Sequence, residues 1–569
     1  MREVEKEDIT CHDIITSEDY VDIYQRIKGD IDEAAAEAGA ECAQRVFEEW
    51  VILHIKMDQK DCDRFYLNSE YIVLPNLYGL TSVSSIEAAG IGPVLSSESL
   101  DISGKGVLIA IVDTGIDYIH EAFRYEDNTS KILSIWDQTQ AGTPPAGFLY
   151  GSEYSNEQIN EALNSEDPLS VVPTVDDVGH GTFLAGVAAG RSNLEENFSG
   201  AAPDAELIVV KLKRAKKCLS DFFQVKEGAI VFQTNDILQG FNYVLEKAQQ
   251  KDKPLVLLFA GASSDGPHNG ANEVEEFLAK KGDAIGVIVV TSAGNEANAA
   301  HHFSGTFKEG ESQVNLDLNI ADGEKGVFVN MWVPLPDVLS LELISPSGET
   351  TGVFPIKPRE WQFKTFPLEN TVIRVHYDLL EERSAEESIA FMIINPLPGI
   401  WNIIIHGETL VNRKFDIYLP IRSFIDRLTI FLKPDPYTTV VIPSTNPGTI
   451  TVGAYNEIIS SIYLESGRGF TREDRVKPDF VAPGVNIIGP YPNNTYGMLS
   501  GTSLSAAITA GACALLLEWG IIKGNDPAIN TVAMKTYLAR GARRREGVIY
   551  PNKEWGFGEL DLINTFTKI

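Results

Sequence analysis

Four segments of the chain carry the same pattern, a run of apolar and β-branched residues that stops at a polar turn. They are GKGVLIAIVDTGID (104–117), GAAPDAELIVVKLK (200–213), PLVLLFAGASSDG (254–266) and AIGVIVVTSAGNE (284–296). Segments with a helical period lie between them, and the same pattern returns at residues 448–456. Uninterrupted apolar strands are typically buried on both faces. The alternation with helices therefore predicts an α/β fold, with a parallel sheet and helices on both of its faces.

The pattern changes between residues 303 and 438, where short strand-like segments with turn signals follow one another. SQVNLDLNIAD, GVFVNMWVP and GIWNIIIHGE are examples, and no long helical segment interrupts them. Short alternating strands of this kind are typical of an antiparallel β-sandwich. We expect a sandwich domain at 303–438, inserted between two parts of the α/β domain at 97–302 and 439–569.

Residues 1–96 are expected to form a small α+β module of their own. The Ala/Glu-rich segment 30–50 has a helical period, whereas 51–57 and 70–80 are strand-like. GIGPVLSSES (90–99) is rich in Gly, Pro and Ser and is interpreted as a flexible link to the α/β domain.

Charge and length narrow the classes of partner. The 569 residues include 47 Lys and Arg against 80 Asp and Glu, a net charge of −33, and 44% of the residues are hydrophobic. Such an acidic surface repels phosphate groups, which argues against nucleic acid and anionic membranes as partners. The N-terminal sequence MREVEKEDITCHD is charged, and no apolar run reaches about 18 residues. We therefore expect no secretory signal and no transmembrane segment, and a protein first kept inside a cell.

The five cysteines are scattered and show no CxxC spacing. They suggest neither a zinc site nor a disulfide framework, and Cys513, in an apolar run, is expected to be a core residue. No metal ligand is assigned. Calcium at the acidic loops stays open, because no segment has the spacing of an EF-hand.

Ser503 lies in MLSGTSLSAAITAGA (498–512), ahead of small residues with helical character. Two interpretations are open. A serine there can cap a helix, which needs nothing else in the chain. It can also be a nucleophile, which needs a base and an orienting acid elsewhere.

Three other motifs supply such groups, each with a structural alternative. Asp113 ends the first apolar strand and is either a turn residue or an acid. His180 stands between two glycines at the start of a small-residue helix, where the backbone can approach closely; the alternative is an ordinary loop histidine. Asn295 follows a buried strand and makes either an Asx turn or an amide donor to an oxyanion.

Taken together, the four motifs point to one chemistry. The order Asp, His, Ser along the chain is the order of the subtilisin triad. The sequences DTGID, GHGT, SAGNE and GTSLSAA, with KPDFVAPGVNI and WGFGELDL, resemble the motifs of the subtilisin-like serine proteases in the same order. This resemblance implies that Asp113, His180 and Ser503 are catalytic and that Asn295 contributes to an oxyanion hole. His120, His301 and His302 are other bases in principle, but none has glycines on both sides at a helix start.

A narrower resemblance is to the Csp germination proteases of spore-forming anaerobic bacteria. It rests on KILSIWDQT (131–139), KLKRAKKCL (211–219), AAHHFSG (299–305) and AAITAGA (506–512). In those proteins, as at Ala507 here, alanine replaces the proline of most subtilases. The resemblance implies a prodomain at 1–96 that is cleaved and stays bound, and a jelly-roll insertion after the Asn. It also implies a place in the bacterial spore and, as protein substrate, the precursor of a spore-cortex-lytic enzyme.

One departure concerns the strand that pairs with substrate. Subtilases usually have Ser-Leu-Gly there, and this chain has Ala260, Gly261 and Ala262. Backbone pairing with a peptide survives such a change, but the neighbouring specificity pocket differs. Two alternatives to a precursor-cleaving endopeptidase therefore stay open: a non-catalytic regulatory protein on the same fold, and an enzyme that cuts only itself.

Overall fold

The computed structural model of the protein describes residues 10–47, 49–69, 73–80 and 89–569. Its first part, which we call the N-terminal module (residues 10–80), contains α1 (Cys11–Thr16), β1 (Tyr20–Arg26), α2 (Ile31–Ala38), β2 (Ala40–Phe47), β3 (Trp50–Lys56), α3 (Cys62–Asn68) and β4 (Leu77–Leu80). Strands β1, β3 and β2 form an antiparallel sheet in that order. The strand expected at 51–57 corresponds to β3. That expected at 70–80 corresponds to β4 only in its last four residues, and 70–72 lie outside the described residues.

The helix predicted over 30–50 is wrong in its second half. Helix α2 ends where Gly39 adopts a left-handed φ of 70°, a conformation that favours glycine and terminates helices. The chain then continues as β2, in which Cys42 and Val46 point to the buried face. The Ala/Glu-rich composition concealed this period of two.

Four of the five cysteines are paired. Cys11 bonds to Cys42 within the N-terminal module, and Cys62 bonds to Cys218 outside it. The partners are 31 and 156 residues apart in sequence, so only the fold brings them together. The expectation that there is no disulfide framework is therefore wrong, whereas Cys513 is buried and unpaired, as predicted.

The segment expected to be a flexible link is packed instead. Ala89, Ile91 and Val94 are fully buried in the main core, and 92–95 form the short helix α4 (Gly92–Leu95) with Pro93 in its first turn. Proline is favoured at that position, and Ile91 and Val94 share one face of the turn. The expectation of flexibility there is wrong because two apolar residues in helical spacing outweigh the Gly/Pro/Ser composition.

The sheet domain comprises residues 89–301 and 432–569. Its first part contains β5 (Leu108–Asp113), β6 (Ile132–Asp137), β7 (Ser152–Ser155), α5 (Asn156–Leu163), α6 (His180–Ala189), β8 (Glu206–Lys211), α7 (Lys217–Phe222), β9 (Phe232–Gln233), α8 (Thr234–Lys251), β10 (Leu255–Phe259), β11 (Gly261–Ala262), α9 (Glu273–Gly282) and β12 (Val287–Ser292).

An inserted domain, residues 302–431, follows. It contains β13 (His302–Thr306), β14 (Gln313–Ile320), β15 (Gly326–Pro334), β16 (Val338–Ile344), β17 (Gln362–Phe366), β18 (Thr371–Glu381), β19 (Glu386–Ile394), β20 (Gly399–Thr409), β21 (Lys414–Tyr418) and β22 (Ile430–Phe431). They form a six-stranded sheet, β13-β21-β15-β19-β18-β17, and a four-stranded sheet, β16-β20-β14-β22. All pairs are antiparallel, and one apolar cluster contains residues of both sheets. The prediction of antiparallel sheets in this region is confirmed.

The second part of the sheet domain contains β23 (Ile450–Asn456), β24 (Ser461–Ile462), β25 (Phe480–Pro483), β26 (Ile487–Tyr491), β27 (Thr495–Leu499), α10 (Thr502–Leu517), α11 (Thr531–Gly541) and α12 (Leu562–Phe566). The central sheet has nine strands in the order β24-β23-β12-β10-β5-β8-β6-β7, with β25 also paired to β23. Only β24 and β7, at the two ends, are antiparallel to their neighbours. The predicted parallel sheet is confirmed.

Helices cover both faces of this sheet because alternate strand residues point to opposite sides. In β5, Ile109 and Ile111 pack with α6 and α10, whereas Ala110 and Val112 pack with α8 and α9. The sheet of the N-terminal module lies against the second face, where Tyr24 and other apolar residues join the cluster of α8 and α9.

Helix α10 is buried along its whole length. The helical segment 502–522, which includes α10, is long and apolar enough to cross a membrane, and 83% of an apolar 18-residue stretch within it is buried inside the protein. Its residues form part of the main core with α6 and the sheet, so α10 serves as the central core helix of this fold.

Arg472 joins the inserted domain to the sheet domain. Its guanidinium donates to the carboxylates of Asp416 (2.8 Å) and Glu386 (2.5 Å) in the inserted domain, and to the carbonyl oxygens of Trp332 (3.1 Å) and Pro267 (3.1 Å). The side chain of Arg472 is buried. A buried guanidinium with all these acceptors fixes the two domains relative to one another.

Candidate active site

The predicted acid, base and nucleophile lie side by side at the carboxyl edge of the parallel sheet. Asp113 is the last residue of β5, His180 the first of α6 and Ser503 the second of α10. Nδ1 of His180 is 2.8 and 2.9 Å from the two carboxylate oxygens of Asp113, and Nε2 is 3.4 Å from Oγ of Ser503. All three side chains are buried. An imidazole between a carboxylate and a hydroxyl is the geometry that activates a serine.

Glycines allow this close approach. Gly179, before His180, has a φ of 88°. A Cβ on Gly181 would lie 2.2 Å from the carbonyl oxygen of Gly115, and the Gly181 N–H donates to Oγ1 of Thr114 at 2.9 Å. Any larger residue at 181 would push α6 away from β5.

Asp176 fixes the start of α6, a role that the sequence analysis missed. Its carboxylate accepts from the N–H of Gly179 (2.8 Å) and from the N–H and hydroxyl of Thr182 (2.9 and 2.7 Å). The Thr182 hydroxyl oxygen in turn accepts from the N–H of Asp117 at 2.8 Å. An aspartate shortly before a helix start is a recognisable signal for such a contact.

Asn295 lies beside the start of α10. Its Oδ1 accepts from the N–H and the hydroxyl of Thr502, both at 3.1 Å, and that hydroxyl oxygen accepts from the N–H of Gly294 at 3.1 Å. The oxygen end of the Asn295 amide is therefore directed at Thr502, and Nδ2 is the end that can donate to an oxyanion. Thr502, next to Ser503, is a second contact that the sequence analysis missed.

The strand predicted to bind substrate is paired with the chain's own N-terminal module. Strand β4 lies between β11 and β9 and is antiparallel to both. The register pairs Leu80 with Gly261, Gly79 with Ala262, Tyr78 with Phe232 and Leu77 with Gln233. Strand β10 ends at the catalytic edge of the sheet, and β11 continues the chain away from that edge. Because β4 is antiparallel to β11, β4 runs toward the catalytic edge. Strand β9 was not predicted, because two residues carry no strand signal.

A buried polar cluster holds the N-terminal module against the sheet domain. The carboxylate of Asp22 accepts from His54 (2.7 Å) in its own module. It also accepts from Lys216 (2.6 Å), Gln233 (2.6 Å) and Asn235 (3.2 Å) of the sheet domain. A buried carboxylate with this many donors is a specific contact between the two parts of the chain.

The three alternative histidines have other contacts. His120 accepts from the N–H of Ala122 at 3.1 Å through Nδ1 and donates to the carbonyl oxygen of Thr495, 2.9 Å away, through Nε2. Burial lowers the pKa of His120. His301 lies 3.4 Å from Glu296, and Nε2 of His302 lies 2.9 Å from Asp416. Within residues 10–47, 49–69, 73–80 and 89–569, no group of three or more His, Cys, Asp or Glu side chains is placed to hold a metal ion.

Comparison with known proteins gives a consistent result. The model of the subtilase family matches residues 104–319 and 433–558. The C5a peptidase of Streptococcus pyogenes serotype M1 is 24% identical over 445 residues, which is 73% of this chain and 34% of that protein. The minor extracellular protease Vpr of Bacillus subtilis is 23% identical over 488 residues, 82% of this chain and 52% of that one. The chain thus spans about a third of the length of the C5a peptidases it matches.

Among solved structures, that of the Clostridium perfringens CspB protease superposes with a TM-score of 0.74 and 33% identity. The match covers 84% of this chain and 98% of that protein. The resemblance to subtilisin-like proteases of the Csp type is confirmed. The family match has a gap over most of the inserted domain. This match and the likeness to the CspB protease show that the chain belongs to the subtilase family and has the fold of a subtilisin-like serine peptidase.

Proposed function

We propose that the chain is a serine endopeptidase that cleaves its own N-terminal module and then a protein precursor. The observation that carries this proposal is the position of the His180 imidazole, 2.8 Å from Asp113 and 3.4 Å from Ser503. With all three groups present, a purely regulatory role would leave the assembled geometry without a use.

In the proposed reaction, Asp113 fixes the tautomer of His180 and stabilises its charged form. His180 removes the proton from Ser503, whose Oγ attacks the scissile carbonyl carbon. The oxyanion is stabilised by Nδ2 of Asn295 and the N–H of Ser503. His180 then protonates the leaving amine, and water, deprotonated by the same imidazole, hydrolyses the acyl-enzyme and restores the serine.

The N-terminal module is proposed to be a prodomain. Strand β4 supports this role because it pairs with both β11 and β9, which form the two sides of a cleft in the sheet domain. An added strand pairs in this way in peptide recognition. Cleavage within one chain profits from a high effective concentration. The apolar and polar contacts of the module should then keep the cleaved fragment bound.

We propose that the inserted domain is a jelly roll.

The resemblance to the Csp proteases supports a specific setting. The proposed protein substrate is the precursor of a spore-cortex-lytic enzyme, and the proposed place of action is the bacterial spore. The charge of −33 supports proteins rather than nucleic acids as partners. We assign no cofactor, and calcium stays a proposal without ligands.

One observation favours a second candidate. Because β4 fills the cleft, a chain that retains its cleaved module would cut only itself and then act as a binding or signalling protein. Incubation of purified, processed protein with candidate precursors separates the two. A new precursor fragment that depends on Ser503 supports the first function.

The test of the proposed function is an intact-mass measurement of purified wild type and Ser503→Ala. Wild type should contain two fragments and the variant one full-length folded chain. A Ser505→Ala variant is the matched control, because Ser505 lies on the same helix and its hydroxyl donates to the carbonyl oxygens of Ala482 and Pro483. If Ser503→Ala is still processed, Ser503 is not the nucleophile.

A further inference from the structure

Three parts of the chain meet at Gly79. This residue belongs to β4 of the N-terminal module and pairs with Ala262 of the sheet domain. A Cβ built on Gly79 would lie 2.6 Å from Cδ1 of Ile421, 2.7 Å from Oγ of Ser423 and 3.0 Å from Cε1 of Phe424. These atoms belong to the inserted domain, in a segment that we call the 421–424 turn. Gly79 has no left-handed φ, so only these neighbours exclude a side chain.

The strand cannot move aside, because it is held on both edges and at one side chain. Just before the strand, the N–H of Asn76 donates to Oγ1 of Thr234 at 3.0 Å, and the carbonyl oxygen of Asn76 accepts from the N–H of Thr234 at 3.1 Å. The ring of Tyr78 is fully buried, packs edge-on against Phe259, and donates its hydroxyl to Oδ1 of Asn272 at 3.2 Å. Burial also raises the pKa of Tyr78 well above its ordinary value.

The 421–424 turn cannot retreat either. Ile421 and Phe424 are 2% and 5% exposed and belong to an apolar cluster with Phe328, Leu77 and Phe222. The N–H of Phe424 donates to the carbonyl oxygen of Ile421 at 2.8 Å, which closes the turn. In turn, the carbonyl oxygen of Phe424 accepts from the N–H of Lys226 at 2.8 Å. Close-packed apolar side chains of this kind do not yield to an added methyl group without a penalty.

We propose that the 421–424 turn makes this cleft select peptides that carry glycine where Gly79 lies. The selected peptides have an aromatic residue with a hydroxyl before that glycine and an apolar residue after it, as in the chain's own Tyr78-Gly79-Leu80. This inference rests on the proposed function, since it treats β4 as a stand-in for substrate. It names the class of substrate: extended segments of the type Tyr-Gly-Leu.

The pockets around β4 support this class. The ring of Tyr78 packs against Phe259 within an apolar cluster that also contains Phe241 and Phe232, and Asn272 is the acceptor for its hydroxyl. A site that binds a hydroxyl rejects the residue that lacks it, because the buried amide oxygen loses a partner. Leu80 is half-buried against the same apolar cluster. The glycine position has the tightest fit of the three, since two side-chain atoms lie 2.6 and 2.7 Å from where an added Cβ would be and would have to move.

The first test uses the chain as its own substrate. Gly79→Ala should slow the appearance of a cleaved N-terminal fragment that contains β4 by about 10- to 100-fold, the effect expected of an added methyl in a close-packed site. Adding Ile421→Val and Ser423→Ala removes the two nearest atoms and should restore most of the rate. Gly29→Ala is the matched control, because nothing lies within 4 Å of a Cβ there, and it should process like wild type.

The outcomes separate this inference from the proposed function. If Ser503→Ala is still processed, the proposed function fails. If processing depends on Ser503 but Gly79→Ala is cleaved at the wild-type rate, the selection of glycine is overturned while the function stands. A third outcome would also overturn the selection of glycine. In it, Gly79→Ala is processed slowly and melts like wild type, but Ile421→Val and Ser423→Ala do not restore the rate. The 421–424 turn would then not be the cause of the slow processing.

A second test uses quenched fluorescent peptides with processed Cys62→Ser enzyme from which the module has been removed. The peptide Tyr-Gly-Leu-Thr-Ser-Val should be cleaved with a kcat/KM about 10- to 100-fold above that of Tyr-Ala-Leu-Thr-Ser-Val. The Ile421→Val, Ser423→Ala enzyme should reduce this ratio. A ratio near one in wild type would contradict the proposal. If neither peptide is cleaved, the rescue experiment within the chain decides alone.

Discussion

Cys62 and Cys218 are joined by a disulfide, with their Cα atoms 5.9 Å apart, and the bond connects α3 of the N-terminal module to α7 of the sheet domain. Cys62 precedes β4 in the sequence and Cys218 follows it, so after a cut beyond β4 the disulfide still joins the two fragments. The link therefore adds a covalent connection to the contacts that retain the module.

The first prediction is that processing leaves the two fragments covalently joined. On a denaturing gel without reductant, wild type alkylated at lysis should give one species of the full-length mass of 62.4 kDa. Reductant should resolve it into two bands. Cys62→Ser should give two bands in both conditions, whereas Cys11→Ser, which removes the disulfide inside the module, should behave like wild type. Two bands from the alkylated wild type without reductant would contradict the link.

The second prediction concerns Asn295. Asn295→Ala removes an oxyanion donor and should raise the barrier by about 3–4 kcal/mol, or roughly 10²- to 10³-fold in rate, a magnitude measured in subtilisin itself. The measurement is the first-order rate of processing followed by intact mass. Thr502→Ser keeps the hydroxyl that binds Oδ1 of Asn295 and is the control, with a rate near that of wild type. An Asn295→Ala chain that processes at the wild-type rate would remove Asn295 from the reaction.

The third prediction tests the orientation of His180. Asp113→Asn preserves size but replaces an acceptor oxygen by a donor, which favours the wrong tautomer of the imidazole. We expect a loss of about 10⁴-fold in kcat, the size of effect seen for this change in a serine protease triad. The melting temperature should stay within a few degrees of that of Ser503→Ala. A modest loss, near tenfold, would indicate that Asp113 does not orient the base.

The fourth prediction concerns the retention of the module at low pH. Burial by itself raises the pKa of Asp22, but Lys216, His54 and Lys213 outweigh it and hold that pKa well below its usual range. The folded-state pKa is thus below the unfolded value of about 3.9. The carboxylate therefore stabilises the docked module above about pH 4, and this contribution is lost as the pH falls further toward the folded-state pKa.

The measurement is size-exclusion chromatography of processed Cys62→Ser protein between neutral pH and pH 3. The module should co-elute at neutral pH, and the fraction that co-elutes should fall progressively as the pH is lowered from about 4 to about 3. Asp22→Asn should weaken docking at neutral pH by about 3–5 kcal/mol, because Lys216 is left buried without its counter-ion. Asp221→Asn, which breaks an exposed pair with Lys217, is the matched control and should change nothing measurable. Retention of the Asp22→Asn module at every pH would contradict the role of this cluster.

The sequence predicted those features that depend on local pattern. The runs that became β5, β8, β10 and β12 are apolar on both faces and needed no knowledge of their neighbours to be identified as buried strands. The three residues placed together at the active site were each flagged by a short motif next to a strand end or helix start. Local signals of this kind survive in a single sequence.

Features that depend on distant partners were missed. Cys62 and Cys218 are separated by 156 residues, and nothing in their flanking sequence indicates contact. Strand β9 is two residues long and exists only because β4 lies beside it. Gly79 was predicted only as part of the strand-like segment 70–80, and its close contacts come from atoms more than 300 residues away in sequence. Long-range packing of this kind has no periodic signature.

The position of the 421–424 turn has a consequence for how such a protease diversifies. The turn belongs to a domain that contributes none of the residues proposed for the chemistry, and Arg472 fixes that domain to the sheet domain through Asp416 and Glu386. Exchange of the whole insertion between relatives, with this anchor preserved, would change which peptides fit while the reaction stays the same. The choice of target and the bond-breaking step can therefore evolve in separate stretches of the gene.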